Sequence, residues 1–474
     1  MTEGDGDRRS GTDRRGQADT HRHPTDRGAQ LSRWLRPGIG IKRWLLVVFV
    51  GELMLALAGA IVLASQFGDG TGAQPLNPLL DALTLQFLPS EVRLIALFTV
   101  GLAVFGYGWW RLLKVLIEPY QSRQEPLVEV LYQRRLRARG PQIVTIGGGT
   151  GLSMLLRGLK ELTNNITAVV TVADDGGSSG KLRTELGLPP MGDIRNCIEA
   201  LADAEPSMTR LLHYRFLVPR FSGSESATAV VDETTPFAGH AFGNLLIAAL
   251  TDITGDFEEA VRQANRVLAV RGNVVPVAGR SITLHADLQD GSTLDGQSRI
   301  ARARGIRRVW ITPSDIRPNS EALEAIANAA MIVIGPGSLY TSLLPPLLVP
   351  GMREALVMTN APRVFVCNVA TQVGETEGYT LSEHLAALEA HGLGDVIDAV
   401  LVNGNLTARQ PENYPAAPVR VDMALSDRVG PHIFTRDLVD EKNAHRHDPH
   451  KLATTLMELH DERIIQRRHP APVA

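Results

Sequence analysis

Three loops rich in glycine and hydroxyl side chains carry the residues of this chain that could do chemistry. The first is Gly147-Gly148-Gly149-Thr150-Gly151, the second runs from Asp174 to Gly180, and the third from Gly335 to Ser342. Glycines let backbone N–H groups approach phosphate oxygens, and a helix that begins at such a loop adds a partial positive charge. The loops therefore predict a phosphate-binding site.

The first loop alone is a weak signal for a nucleotide. Leu152 occupies the position of the third glycine in a dinucleotide fingerprint, and the Lys-Ser/Thr pair of a P-loop is missing. A tight turn is the alternative interpretation of one such loop taken alone. Three loops at strand ends of one sheet favour a common binding crevice, because the carboxyl ends of parallel strands meet at one edge.

Asp174 and Asp175, in the second loop, allow three interpretations. Asp174 follows the first loop at the separation where an acidic residue contacts ribose hydroxyls in nucleotide-binding βαβ units. The two carboxylates could instead hold Mg²⁺, which prefers oxygen ligands. A carboxylate at this place could also simply cap a helix. Mg²⁺ is the one cofactor that the sequence suggests.

Two further motifs precede predicted helices. Asp193 and Asn196 open one helix, and His240 and Asn244 lie at the start of another. The simplest interpretation makes Asp193 an N-cap with Arg195 as a solvated neighbour. A lone histidine is more often a capping or packing group than a metal ligand, and no second histidine stands at metal-site spacing.

The elements that position these loops follow a βαβ pattern. Leucines recur at helical spacing from Leu152 to Leu162, directly after the first loop. We predict a doubly wound, mostly parallel, Rossmann-like α/β sheet. Its strands are expected at Gln142–Ile146, Ile166–Ala173, Ala330–Ile334, Arg363–Val369 and Val396–Val402.

The sequence pattern changes between Gly272 and Thr312. Short β-like runs at Val274–Val277, Ser281–Ala286 and Val309–Thr312 are separated by turn residues, which predicts a small antiparallel β insertion. Phe221–Pro236 is expected to be a mobile loop. A last helix at Leu452–Ile465 is expected before a disordered tail.

Two apolar stretches, 44–64 and 94–110, predict a transmembrane hairpin before the α/β domain. Basic residues flank the hairpin outside the spans, so both termini and the main domain are expected in the cytoplasm, with the chain a multi-pass protein of the cell membrane. Glu52 should be protonated or face the second helix, because a charge in a bilayer is costly. We expect a disordered tail over 1–43 and a linker helix over 111–140.

Composition narrows the function classes. The formal net charge is −3 over 474 residues, which gives no overall basic field for nucleic acid. Only two cysteines, Cys197 and Cys367, are present, so a reduced cytoplasmic compartment is the simplest interpretation. The basic run from Arg134 to Arg139 could hold anionic headgroups or be the solvated face of the linker.

The motifs together resemble a known family. The segments 147–153, 173–180, 192–196, 239–244 and 335–342 stand in the order seen in the gluconeogenesis factor family (YvcK-like), a branch of the CofD-like superfamily. The resemblance spans about 141–440, and we expect the nucleotide-sugar-binding domain over 141–445, with 446–474 as a C-terminal helix and tail. It implies a Rossmann-like domain that binds a nucleotide sugar, with UDP-N-acetylglucosamine as the family's ligand.

The resemblance also implies a function and a residue set. Members support cell-wall precursor supply and cell shape, so enzymes of that supply are expected partners, and we expect a homo-oligomer. The alternatives are a CofD-type transferase that moves a phosphate-linked group from a nucleotide donor to an acceptor such as Fo, with Mg²⁺ at Asp174 and Asp175, and a membrane scaffold. The expected ligand-binding residues are Gly148, Gly149, Thr150, Gly151, Asp174, Asp175, Ser178, Ser179, Asp193, Asn196, His240, Asn244, Gly337, Ser338 and Tyr340.

Overall fold

The computed structural model describes residues 41–67, 89–117, 132, 135–203, 206–216, 239–408, 417–422 and 431–462. The chain divides into two compact units, Met1–Val130 and Leu131–Ala474. Most of the predicted tail, the loop Phe221–Pro236, much of the linker and the end of the chain lie outside the described residues.

The first unit contains two long helices, α1 (Ile41–Phe67, 27 residues) and α2 (Ser90–Ile117, 28 residues). At 1.5 Å rise per residue, each helix is longer than the roughly 30 Å hydrocarbon core of a bilayer. Glycines let them pack closely: a Cβ on Gly51 would lie 2.5 Å from the backbone nitrogen of Phe105. By length and composition, both helices could cross a membrane.

Glu52 does not face the second helix. Its side chain is exposed, while the adjacent Gly51 is buried against α2. Of the two alternatives expected for this carboxyl, contact with α2 was therefore wrong, because the contact face of α1 lies on the glycine side of the helix; the other alternative stays a prediction.

The second unit is an α/β domain. Its strands are β1 (Ile143–Gly147), β2 (Ile166–Val170), β3 (Asn273–Pro276), β4 (Thr283–Leu288), β5 (Thr293–Asp295), β6 (Ile306–Thr312), β7 (Met331–Ile334), β8 (Arg363–Val366), β9 (Ala399–Asn403), β10 (His432–Arg436), β11 (Val439–Asp440) and β12 (Asn443–His447). Seven of them form one sheet in the order β10-β9-β8-β7-β1-β2-β3, and every pairing in it is parallel. The predicted fold class is confirmed.

Helices connect these strands and cover the sheet. They are α3 (Gly149–Leu159), α4 (Gly177–Leu186), α5 (Gly192–Leu201), α6 (Pro206–His213), α7 (Phe242–Thr254), α8 (Phe257–Val267), α9 (Gln297–Ile300), α10 (Ser320–Ala327), α11 (Leu344–Leu347), α12 (Met352–Met358), α13 (Leu381–Ala390) and α14 (Pro449–Asp461). A π-helix at Leu339–Leu343 and a 3₁₀ turn at Gly394–Val396 complete the described elements.

The antiparallel insertion is confirmed, with one strand assigned wrongly. β4 pairs with β5 and β6 in a three-stranded antiparallel sheet. The run Val274–Val277, predicted to belong to it, instead lies mostly in β3, which pairs parallel with β2 in the main sheet. A short β-branched run between turn residues has the same local pattern in both settings, so only the tertiary pairing separates them.

The core lies between the parallel sheet and its helices. All five residues of β1 and of β9 are buried, as expected for strands covered on both faces. The leucines of α3 at 152, 155, 156 and 159 are fully buried. α14 packs against α3 at Gly158, where a side chain would collide with the carbonyl of Pro449. The C-terminal helix is therefore part of the α/β unit.

Candidate functional site

The loops after β1 and β7 meet at the point where the strand order reverses. The chain goes from β1 to β2 and β3 in one direction, and from β7 to β8, β9 and β10 in the other. Such a switch point forms a crevice outside the carboxyl ends of the strands. The two loops touch: a Cβ on Gly151 would lie 2.7 Å from the Pro336 carbonyl oxygen, and one on Gly337 would lie 3.3 Å from that of Gly148.

A cavity of about 240 Å³, which we call the glycine cleft, opens between these loops. Six of the predicted site residues line it: Gly148, Gly149, Thr150, Gly151, Gly337 and Ser338. The other lining residues are Met154, Pro336, Ser342, Asn368, Val369, Ala370, Gln372, His445, Arg446 and His447.

Gly149 has two reasons to be glycine. Its φ of +68° lies in the left-handed region, which residues with a Cβ rarely adopt. A Cβ there would meet only the Ser342 hydroxyl, at 3.4 Å, so the missing side chain leaves the cleft open. Gly149 is also the first residue of α3, whose N-cap, Gly148, makes no side-chain capping bond. The helix N-terminus thus faces the cleft with its partial positive charge.

The segment after β8 holds the third predicted loop in place. Asn368 accepts a hydrogen bond from the Gly337 N–H (3.2 Å) and donates one to the Gly337 carbonyl (2.9 Å). Gln372 donates to the Ser338 hydroxyl at 2.8 Å. Sequence reasoning missed both residues, although they follow a predicted strand whose carboxyl end had to reach the same edge of the sheet.

A strand near the C-terminus supplies the cation of the cleft. Arg446 and its neighbours His445 and His447 come from β12, and Arg446 is exposed. His447 is buried, with Nε2 3.2 Å from the Cys367 carbonyl oxygen, and burial lowers its pKa to about 4. His447 is therefore neutral at physiological pH, and the fixed positive charge comes from Arg446. The His-Arg-His triplet was visible in the sequence, but nothing local ties it to the two glycine loops, which lie far upstream in the chain.

A second group of predicted residues gathers around the Ser178 hydroxyl, behind the first loop. This oxygen accepts hydrogen bonds from the Asn244 side-chain amide (3.1 Å) and the Ala241 N–H (3.3 Å). It lies 3.2 Å from His240 Nδ1, to which it can donate its own proton. Burial lowers the pKa of His240, so the ring is neutral and can accept. We call Asp174, Ser178, Ser179, Asp193, His240 and Asn244 the polar cluster.

Asp193 joins the polar cluster to the glycine cleft. A Cβ on Gly148 would lie 2.6 Å from Asp193 Oδ2, and the Gly149 N–H donates to this carboxylate. Burial of the carboxyl group, and then the nearby charge of Asp174, raise the pKa of Asp193 to about 7. Burial also raises the pKa of Asp174, against hydrogen bonds from Gly176 and Ser179. Asp174 and Asp193 thus lie close together behind the first loop, and no residue of the polar cluster lines the glycine cleft itself.

Asp175 and Tyr340 lie elsewhere. Asp175 accepts a hydrogen bond from the Ser298 N–H (2.8 Å) at the start of α9 and so ties the antiparallel insertion to the second loop. Tyr340 is 3 % exposed, and its hydroxyl lies 3.1 Å from that of Tyr379. Neither residue lines the glycine cleft.

The segment around Arg195 also differs from expectation. Asn196 accepts a hydrogen bond from Arg195 (2.8 Å), and Arg195 is 8 % exposed rather than solvated. Its aliphatic stem lies against α7, where a Cβ on Gly243 would be 2.7 Å from Arg195 Cδ. This long-range packing has no signal in the local sequence.

Comparison with known proteins identifies the family. The family model of 2-phospho-L-lactate transferase CofD matches residues 143–439, which include both the glycine loops and the polar cluster. The "Gluconeogenesis factor" of Bacillus subtilis is 45% identical over 325 residues, 67% of this chain and 98% of that protein. The chain belongs to the gluconeogenesis factor branch of the CofD family.

Two further relatives show how much of the chain the similarity covers. A protein of Nostoc sp. is 41% identical over 438 residues, 90% of this chain and 92% of that protein, so the similarity extends beyond the α/β domain. The crystal structure of a UPF0052 family member from Bacillus halodurans matches with a TM-score of 0.60 and 43% identity, over 67% of this chain and 99% of that chain.

Proposed function

We propose that the glycine cleft binds a nucleotide sugar of the UDP-N-acetylglucosamine type, and that the protein regulates cell-wall precursor supply and cell shape through this ligand. One observation carries the proposal: two glycine loops, a helix N-terminus and Arg446 converge on one crevice at the switch point of the sheet. Backbone N–H groups and one guanidinium suit a diphosphate, whose oxygens accept several hydrogen bonds. Enzymes of precursor supply are the proposed partners.

Calorimetric titration of the protein with UDP-N-acetylglucosamine, a GDP-sugar and Fo tests this proposal. We expect saturable binding of the UDP-sugar. Binding of Fo together with a guanosine nucleotide, and not of the UDP-sugar, would contradict it.

A CofD-type transferase is the second candidate, supported by Asp174 and Asp193. These carboxyls offer the hard oxygen donors that Mg²⁺ prefers. Burial raises the pKa of both groups, and the charge of Asp174 adds to the rise at Asp193. Asp174 and Asp193 therefore suit a divalent ion better than Asp174 and Asp175 do, because the Asp175 carboxylate already accepts a hydrogen bond from the first turn of α9. The described residues contain no group of three metal-ligating side chains. When bound, Mg²⁺ would neutralise charge on the diphosphate.

We propose that α1 and α2 anchor the protein in the cell membrane, with both termini and the α/β domain in the cytoplasm. Arg43 precedes the apolar part of α1, while Arg111 and Lys114 follow that of α2, as the positive-inside bias requires. The close glycine contacts between the helices are typical of membrane helix pairs. A membrane scaffold without a ligand would leave the glycine cleft without a role.

A further inference from the structure

We propose that α1 associates with α1 of a second copy of this chain inside the membrane, through a stripe of residues centred on Glu52. The inference depends on the proposed membrane location of the hairpin. It concerns a face of α1 that the second helix of the same chain does not cover.

Glu52 stands near the middle of α1 with its side chain exposed. A carboxyl that faces hydrocarbon is costly unless another polar group satisfies it, and ionisable residues inside membrane spans usually face a protein partner. The chain's own second helix does not cover this face of α1, and its segment from Leu94 to Trp110 contains no charged residue. Its Thr99 hydroxyl bonds to the Ile95 carbonyl of its own helix at 2.7 Å.

The residues around Glu52 have the spacing of a helix–helix contact. Leu45, Phe49, Glu52, Ala56 and Gly59 recur at intervals of four and three residues, and all five are exposed. This is the seam along which two helices pack. The last two are small, and a Cβ on Gly59 would meet nothing within 4 Å, so another helix can approach closely there.

A second copy fits this stripe better than an unrelated chain. In a parallel pair related by a two-fold axis along the membrane normal, each residue of the stripe faces its own equivalent at the same depth. Glu52 then lies opposite the partner's Glu52, where a carboxyl in its protonated form can donate a hydrogen bond to the facing carboxyl. An unrelated partner would need a polar group at this same depth.

Cysteine crosslinking of the full chain in membranes tests the proposal. The native Cys197 and Cys367 are buried, so a cysteine introduced into α1 reports on this helix. Ala56→Cys should crosslink two copies. Val50→Cys, exposed on a different side of the same helix, should give at least tenfold less dimer. Adding Glu52→Leu to Ala56→Cys should lower the dimer at least tenfold, whereas Glu52→Gln, which keeps hydrogen bonding, should retain it.

Equal crosslinking at positions 50 and 56, or a dimer that survives Glu52→Leu, would overturn the inference. Alkaline carbonate extraction of the same samples separates this failure from failure of the membrane proposal. If carbonate extracts the chain, the hairpin does not span the membrane, and the proposed membrane location fails together with the inference. A chain that stays in the membrane but does not crosslink refutes the Glu52 pairing alone.

Discussion

Replacing Gly149 by valine tests whether the first loop is a ligand cradle or only a turn. A non-glycine residue at the φ of +68° costs about 1–2 kcal/mol of stability, or a few degrees in Tm for a domain of this size. The larger effect should fall on binding. Overpacking of the cleft costs about 1–3 kcal/mol and loss of a hydrogen bond to a charged phosphate about 1.5–3 kcal/mol. The sum of about 2.5–6 kcal/mol corresponds to about 10²- to 10⁴-fold weaker binding.

Gly187→Val is the matched control. Gly187 is the C-cap of α4 and has the same φ of +68°, and a Cβ there would meet nothing within 4 Å. A valine at this position therefore has the same backbone strain but does not enter the glycine cleft. Calorimetry with UDP-N-acetylglucosamine and thermal unfolding of both variants give the comparison. A folded Gly149→Val protein that binds as tightly as the Gly187→Val protein would refute the cradle.

Three further predictions concern charge and topology. Arg446→Met should weaken nucleotide-sugar binding about 10- to 100-fold and reduce its salt dependence, whereas Arg304→Met, in an exposed ion pair with Glu377, should bind normally in the same titration. The folded-state pKa of Asp193 is raised from 3.8 to about 7, so the contribution of this group to stability is greatest at low pH and is lost as pH rises towards 7. In urea unfolding, Asp193→Asn should therefore gain stability relative to the parent protein between pH 5 and pH 8. The same pH dependence in both proteins would contradict the raised pKa. Glu375, with a pKa also raised to about 7, keeps part of the pH slope in both proteins. Topology reporters fused after Arg27 and after Gly140 should both report the cytoplasm, and an external signal at either would contradict the hairpin.

The sequence could predict elements whose signal is local. Apolar runs that end in glycines located β1, β2 and β7, and the order of elements indicated the parallel sheet. It could not predict which edge strand joins which sheet, and so Val274–Val277 was assigned to the insertion. A β-branched run carries no information about its partner strand.

Only part of the lining of the glycine cleft has a local signal in the sequence. Glycine-rich motifs are visible there, so the sequence indicated the two loops that line this cleft. Arg446 and Asn368 act through tertiary position, and their neighbours in sequence give no hint of a cleft. The burial of Arg195 and the exposure of Glu52 likewise depend on which helix packs against which side, a choice that helical periodicity leaves open.

Titration of UDP-N-acetylglucosamine into the protein with Mg²⁺ and again with EDTA, with product analysis by mass spectrometry, tests the central claim most directly. A ligand-binding regulator should bind the nucleotide sugar in both conditions and leave it unchanged. Strict metal dependence together with a transferred group would contradict the account and favour the transferase, with Asp174 and Asp193 as the residues that hold the metal.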